Sequence, residues 1–326
     1  MTHPSRPALF SRRAIARGLA AALLPAALLA SPAYAADTQL RIGFQKSASL
    51  LTLQKSQGTL EQRLAPLGVT VKWVEFPAGP QLLEGLNVGA VDVGFVGEAP
   101  PIFAQAAGAR FVYIGNDPAA PEAEAIVVPK DSPIKSVAAL KGKKVALNKG
   151  SNVHYLLVRA LERAGLKYGD IQPVFLPPAD ARAAFERGAV DAWAIWDPFL
   201  AAVETQSQAR ALVDGRELVH NYAYYLAARD YAAHNPRVIA ALFDDTLAQA
   251  QWLKRHMAQA AAVIAPLQGL APEVVTRTLE RSQFGVKPLS PQVAGDQQQI
   301  ADAFYGLGLI PKPIRVVEAL PALAAP

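Results

Sequence analysis

The chain has 326 residues, no cysteine and a formal net charge of +5, from 32 Lys and Arg against 27 Asp and Glu. Four of the cations, Arg6, Arg12, Arg13 and Arg17, precede the first acid, Asp37, so the rest of the chain carries 5 − 4 = +1 and offers no basic surface for nucleic acid. Without a thiol there is no disulfide framework, no lipid-bearing N-terminal cysteine and no cysteine nucleophile.

Those four arginines open the first element. An apolar run over 19–30, interrupted by Pro25, follows them and leads to Ser31-Pro32-Ala33-Tyr34-Ala35. A basic region, an apolar region and a small-x-small site mark residues 1–35 as an export signal, and set the expectation of a periplasmic protein. The apolar run is shorter than the roughly 20 residues a spanning helix requires, so the chain is not expected to cross the membrane. Arg12-Arg13 also resembles part of a twin-arginine signal, which leaves Sec and Tat export both open.

From Leu40 the pattern changes. Leu40-Arg41-Ile42-Gly43-Phe44 alternates as a strand, and after Gln45-Lys46-Ser47-Ala48-Ser49 the apolar residues Leu50, Leu53 and Leu60 predict a helix. Residues 69–76 alternate as a strand, 81–87 read as a helix, 91–96 as a strand, 101–107 as a helix and 111–115 as a strand. This alternation predicts a parallel-type sheet with helices on both faces. A boundary rich in Pro and Ala covers 116–124, and the strand at 125–128 leaves the first lobe. A short helix over 136–142 ends at Gly142 and feeds a strand at 144–147. The next helix carries Val153, Leu156, Leu157, Ala160, Leu161 and Ala164 on one face and stops at Gly165. Residues 174–176 form a strand, 179–188 a helix and 224–227 a strand, after which only helices are expected, over 236–264, 272–281 and 291–305. Two crossing strands, near 125 and 225, divide the chain into a first lobe, 36–124 with 225–326, and a second lobe, 125–224.

A repeat supports the two lobes. Gly-Ala-Val-Asp occurs at 89–92 and again at 188–191, each copy after a helical pattern: Leu82, Leu83 and Leu86 in one, Ala181, Ala184 and Phe185 in the other. At the same offset Val96 matches Ile195, and Glu98 matches Asp197, each acid close to a proline. Each lobe therefore presents the carboxyl end of a strand, which is where open α/β sheets hold ligands.

Three loops there carry suitable chemistry. Gln45, Lys46 and Ser47 follow the first strand and start a helix; Gly150, Ser151 and Asn152 repeat that arrangement in the second lobe, with Ser151 or Asn152 as N-cap. Backbone N–H groups, a hydroxyl and the positive end of a helix dipole suit an anion, although each set could equally cap its own helix. Glu98, beside Gly97, and Asp197, beside Trp196, close the repeated loops. Either acid could accept from a ligand, hold its loop through backbone N–H groups or pair with Lys46 or Lys149. An Asp before Pro is a common turn starter, which favours a structural use for Asp197 and leaves Glu98 more available. By alternation Trp196 stands at the end of its strand as a cleft wall, while Trp193 shares a face with Ile195. Of Tyr222, Tyr224 and Tyr225, one is expected to line the cleft and the others to pack.

Catalysis finds no support. The sequence has no GxSxG, phosphate-cradling P-loop or GxGxxG element, and His154, His220, His234 and His256 show no ligand spacing, so no metal or cofactor is expected.

Ile42-Gly43-Phe44-Gln45-Lys46, Gly97-Glu98-Ala99-Pro100-Pro101, Leu140-Lys141-Gly142-Lys143-Lys144-Val145-Ala146, Lys149-Gly150-Ser151 and Asp191-Ala192-Trp193-Ala194-Ile195-Trp196-Asp197-Pro198 together resemble the aliphatic sulfonate-binding proteins of ABC importers. These belong to a wider group that binds taurine, nitrate and related solutes. The resemblance implies an α/β fold of the type II periplasmic-binding class, two lobes joined by two hinge strands, closing on a small organic sulfonate. It implies a monomer without cofactor or enzyme activity that hands its ligand to an ABC transporter permease. Carried over residue by residue, the ligand contacts Gln45, Lys46, Ser47, Gly150, Ser151 and Asn152, and Gly97, Glu98, Trp196, Asp197 and Tyr224 line the cleft. Taurine, nitrate and a thiamine-precursor pyrimidine are the alternative ligands, the two acids keeping an amine-bearing one open. A desulfinase and a pyrimidine-synthesising enzyme also look like relatives, but both would need a cysteine.

Overall fold

Leu40, Ile42 and Phe44 alternate with less apolar neighbours, and all three side chains are buried along β1 (Thr38–Phe44). The computed structural model describes residues 38–321, so the expected export signal lies outside the described residues. After β1 come α1 (Ser49–Gln57), α2 (Thr59–Leu64), β2 (Val69–Glu75), α3 (Gly79–Asn87), β3 (Val93–Gly97), α4 (Ala99–Ala106) and β4 (Phe111–Asn116). The chain then enters a second sheet through β5 (Glu124–Val128), β6 (Lys144–Leu147), α5 (Asn152–Arg163), β7 (Gln172–Phe175), α6 (Pro178–Glu186), β8 (Ala192–Trp196), α7 (Phe199–Gln206) and β9 (Arg210–Asp214). It returns by β10 (Ala223–Ala228) and ends in α8 (Arg229–His234), α9 (Pro236–Arg255), α10 (Met257–Gln268), α11 (Pro272–Arg281) and α12 (Pro291–Gly306).

The two sheets have strand orders β2-β1-β3-β10-β4 and β7-β6-β8-β5-β9. Each contains one antiparallel insertion instead of being wholly of the expected parallel type. β10 runs against β3 and β4, and β5 runs against β8 and β9. The reason is the route of the chain: β1, β3, β4, β6 and β8 end at the junction of the sheets, whereas β5 and β10 start there after crossing. Apolar clusters cover both faces of each sheet. On β10, Tyr224 and Leu226 join Leu82, Ile102 and Phe304 on one face, while Tyr225 and Ala227 join Leu51, Leu60 and Leu242 on the other.

The repeated Gly-Ala-Val-Asp has a structural use in both sheets. Gly89 and Gly188 take φ of +74° and +68° at the ends of α3 and α6, a left-handed conformation that favours glycine. Asp92 Oδ2 accepts from the backbone N–H of Arg41 at 2.8 Å, and Asp191 Oδ2 accepts from that of Lys144 at 2.8 Å. The two acids tie the starts of β3 and β8 to the neighbouring strand, Asp92 at the middle of β1 and Asp191 at the start of β6.

Several elements differ from expectation. The single helix expected over 236–264 is two, α9 and α10, broken at His256, whose φ of −133° and ψ of 41° are not helical. The short helix expected over 136–142 is a 3-10 turn over Val137–Leu140. Helix α7 and strand β9 lie in a stretch whose mixed apolar pattern predicted neither. No helix among the described residues is long and apolar enough to cross a membrane.

Candidate ligand-binding site

Where the two sheets meet, residues from the ends of β1, β3, β4 and β8 and from the start of α5 surround one cavity. About 110 Å³ of it is open to the centres of water-sized groups, room for roughly eight waters at 10–15 Å³ each. That suits a small organic molecule.

Two helices point into it. α1 starts at Ser49 with Ala48 as N-cap, and α5 starts at Asn152 with Ser151 as N-cap; neither has a side chain capping its first turn. Ser151 occupies the expected N-cap position, but its hydroxyl turns away and donates to Asn148 O at 2.7 Å. The first N–H groups of a helix have no acceptor one turn back; here Ser49 N donates to Ser47 O and His154 N to Ser151 O, both at 3.0 Å, and the remaining N–H groups of the two first turns are left for whatever occupies the cavity. By contrast, the N-terminus of α7, next to β8, is taken: Asp197 Oδ1 accepts from Ala201 N at 2.9 Å.

Of the eleven residues singled out in the sequence, seven line the cavity: Gln45, Ser47 and Gly97 from the first sheet, and Ser151, Asn152, Trp196 and Asp197 from the second. Gln45 is fixed there by donating to Phe95 O at 3.1 Å. Asn152 bridges the sheets, donating to Asn221 Oδ1 at 2.6 Å and accepting from Ala99 N at 3.4 Å.

Four lie elsewhere. Lys46 does not line this cavity: it donates through Nζ to Gln268 O at 2.5 Å and borders a second, separate pocket with Lys55 and Glu75. Gly150 serves its turn: φ is +77°, and its N–H donates to His154 Nδ1 at 3.2 Å. Glu98 is buried behind the wall, where Oε2 accepts from Tyr222 N at 2.9 Å and burial pushes its carboxyl up to about 8. Tyr224 is buried against Tyr113, with ring centroids 5.0 Å apart. Successive residues of a strand face opposite sides, so it is Tyr225 that lines the cavity.

Sequence reasoning missed Ser49, Asp117 and Asn221, all of which line the cavity, and of its three tyrosine candidates it carried Tyr224 forward where Tyr225 is the one at the wall. Ser49 stands in the stretch after β1, and the strand-end position of Asp117 was the available signal for it. The segment 116–124 instead drew attention as a Pro-rich boundary. Four cavity-lining atoms are buried without a hydrogen-bond partner: Ser49 Oγ, Asp117 Oδ1, Asp197 Oδ2 and Tyr225 Oη.

The cations near the cavity are engaged. Arg281, at the end of α11, donates through Nη1 to Asp197 Oδ1 at 3.4 Å and through Nη2 to Glu204 on α7. Burial pushes the Asp197 carboxyl up to about 7 against the opposing pull of Arg281. Among the described residues no group of three or more His, Asp or Glu could hold a metal ion. What the arrangement offers is neutral donors from two helix ends, an indole wall and buried acids, which is chemistry for recognition.

Comparison with known proteins is consistent with that geometry. A family model described as the NMT1-like family matches residues 33–267. The chain belongs to the NMT1-like family. A protein of Escherichia coli strain K12 with the provisional name of an aliphatic sulfonates-binding protein is 48% identical over 298 residues, 91% of this chain and 92% of the relative. The alkanesulfonate-binding protein SsuA from Xanthomonas axonopodis pv. citri, solved bound to MOPS, superposes with a TM-score of 0.83 at 45% identity, covering 87% of this chain and 98% of that one. The periplasmic aliphatic sulphonate binding protein SsuA from Escherichia coli gives 0.78 at 47% identity, over 87% and 97% of the two chains. This NMT1-like chain thus has the periplasmic-binding-protein fold that the sequence led one to expect.

Proposed function

We propose that this protein is the periplasmic solute-binding component of an ABC importer, and that it captures small aliphatic sulfonates in the cavity between its lobes and delivers them to the membrane permease. The observation that carries the reading is the convergence of two uncapped helix N-termini, α1 and α5, from opposite sheets on one cavity where no cation is free. A sulfonate is an anion at every accessible pH and offers three acceptor oxygens, which neutral N–H and O–H donors satisfy without a buried arginine. Its alkyl tail is accommodated against Trp196 and Phe284. The names of the close relatives, and the MOPS held by one of them, support the same ligand class. Export through residues 1–35, a monomeric state and hand-over to a permease complete the proposal.

Titration with ethanesulfonate, butanesulfonate and MOPS tests it. Trp196 fluorescence is expected to change saturably and the melting temperature to rise with ligand concentration, and the fluorescence change is expected to vanish in Trp196→Phe. Flat titrations in both readouts with all three compounds would remove the ligand assignment.

A further inference from the structure

His154 is no part of the cavity wall, yet it bonds to the turn from which that wall is built. α5 starts with Ser151 and Asn152 at the cavity. A helix rotates about 100° per residue, so two positions on His154 lies roughly 200° around from Asn152 and faces away from the cavity. Its side chain is fully buried. Phe103 of α4 and Phe304 of α12, helices that cover the first sheet, lie with ring centroids 6.1 and 5.6 Å from the imidazole, and Phe175 of β7 in the second sheet lies at 6.0 Å. A phenylalanine would suit that apolar company equally well. What a histidine adds is two ring nitrogens, and both are used.

Nδ1 accepts from the Gly150 N–H at 3.2 Å, so the ring proton is on Nε2, which donates to Tyr168 Oη at 2.9 Å. The titratable groups facing the ring are Tyr168 and Lys149. Burial, with the Lys149 charge acting in the same direction, lowers the imidazole to about 4, so near neutral pH the ring is uncharged and Nδ1 is free to accept. Gly150 is itself buried, with the left-handed φ of +77°, and a Cβ on it would stand 3.3 Å from Phe103 Cδ2. Its N–H is therefore enclosed between α4 and the imidazole, where a donor without an acceptor would have lost its water and gained nothing. The turn keeps this conformation only while Nδ1 is there to receive that N–H.

We propose that His154 is a positioning residue for solute binding: by accepting the Gly150 N–H it fixes the turn ahead of α5, and so holds Ser151, Asn152 and the first N–H groups of that helix toward the cavity before a solute arrives. The proposal rests on the reading of this cavity as a sulfonate site and adds what keeps one of its two helix ends preorganised.

Two replacements separate the acceptor from the ring. His154→Asn puts Oδ1 near the place of Nδ1 and loses the ring; His154→Phe keeps a ring and loses the acceptor. For the wild type and both variants, near neutral pH, three quantities are read: the Kd for butanesulfonate by isothermal titration, the melting temperature, and the hydrogen exchange of the Gly150 amide by NMR. His154→Phe is expected to melt above His154→Asn, yet to bind butanesulfonate at least threefold more weakly than His154→Asn does, with faster exchange at Gly150. A residue that only fills space would give the opposite order of affinity. A Kd for His154→Phe less than threefold above that of His154→Asn overturns the proposal. Should His154→Asn not fold, His154→Phe decides against the wild type: faster exchange at Gly150 together with weaker binding supports the proposal, and no change in either one overturns it. A wild type that does not bind butanesulfonate removes the sulfonate reading, and the exchange arm then decides the positioning role alone: Gly150 as protected in His154→Phe as in the wild type overturns it, and protection lost in that variant supports it.

Discussion

The carboxamide of Asn152 lies directly on the Cα of Gly97: a Cβ at Gly97 would stand 2.0 Å from Asn152 Oδ1 and 2.4 Å from Cγ. One residue begins α5 in the second sheet, the other ends β3 in the first, and Asn152 also binds Asn221 at the return crossing. This contact holds the sheets together beside the cavity, and it requires a residue without a side chain. Gly97→Ala is expected to force the two apart at a cost of about 1–3 kcal/mol, read as a five- to hundredfold loss of ligand affinity. Asn152→Ala should be milder. The double variant should bind better than Gly97→Ala alone, because the clash has gone; isothermal titration of the four proteins checks the cycle.

The buried acids set a pH dependence. Glu98 is raised from its ordinary 4.5 to about 8 by burial, so the folded protein holds its proton between those values while the unfolded chain does not. The stability this confers is complete below pH 4.5 and is lost as pH rises through 8. Asp197, raised to about 7, acts in the same direction. His154 acts in the other: burial lowers it from 6.5 to about 4, so it costs stability as pH falls below 6.5. Between pH 6.5 and 8.5 the carboxyls therefore dominate, and stability should fall with rising pH by on the order of 2 kcal/mol for one group, read as a falling melting temperature. Glu98→Gln keeps an acceptor for Tyr222 N and should flatten that slope in thermal melts.

The two serines at the helix ends should behave differently. Ser49 Oγ is buried, lines the cavity and has no partner, whereas Ser151 Oγ is occupied by Asn148 O. Ser49→Ala is expected to weaken sulfonate binding by about 1.5–3 kcal/mol, the order of a hydrogen bond to a charged group. Ser151→Ala should cost about 1 kcal/mol of stability and little affinity. Titration and melting of both variants separate the two roles.

How much of this was legible in the sequence follows from where the signals lie. Strand alternation found β1 and β2, because burial on one face writes a period into the chain, while the glycine stops at Gly142 and Gly188 located β6 and β8. The direction of β5 and β10 was not written there: a strand has the same pattern in a parallel or antiparallel setting, and only its start at the crossing decides. At the site, residues next to a helix start, Ser47, Ser151 and Asn152, could be read from local chemistry. The choice between Tyr224 and Tyr225 could not, since both are buried and alternation alone does not say which face meets the cavity. Glu98 looked available because, unlike Asp197, it does not directly precede a proline, yet the backbone N–H of Tyr222, more than a hundred residues away in the chain, draws it behind the wall.

Arg281 joins α11 to the second sheet through Asp197 and Glu204, and Arg277 adds a second contact to Glu204 at 2.9 Å. The Arg281 side chain is 15% exposed and that of Asp197 is 3% exposed, so removing the arginine leaves a buried carboxylate without its cation. Glu204 keeps Arg277, which confines the effect to Asp197. Arg281→Ala is expected to destabilise the protein by about 3 kcal/mol at pH 8, the order found when one partner of a buried pair is removed. The deficit should shrink as pH falls, since Asp197 without Arg281 titrates above its present value of about 7 and is neutral at pH 6. Arg281→Ala with Asp197→Asn should recover most of the loss at pH 8 and lose the pH dependence. Thermal melts of the three variants at pH 6 and pH 8 read both effects, and a deficit that is equal at the two pH values would assign Arg281 a packing role instead.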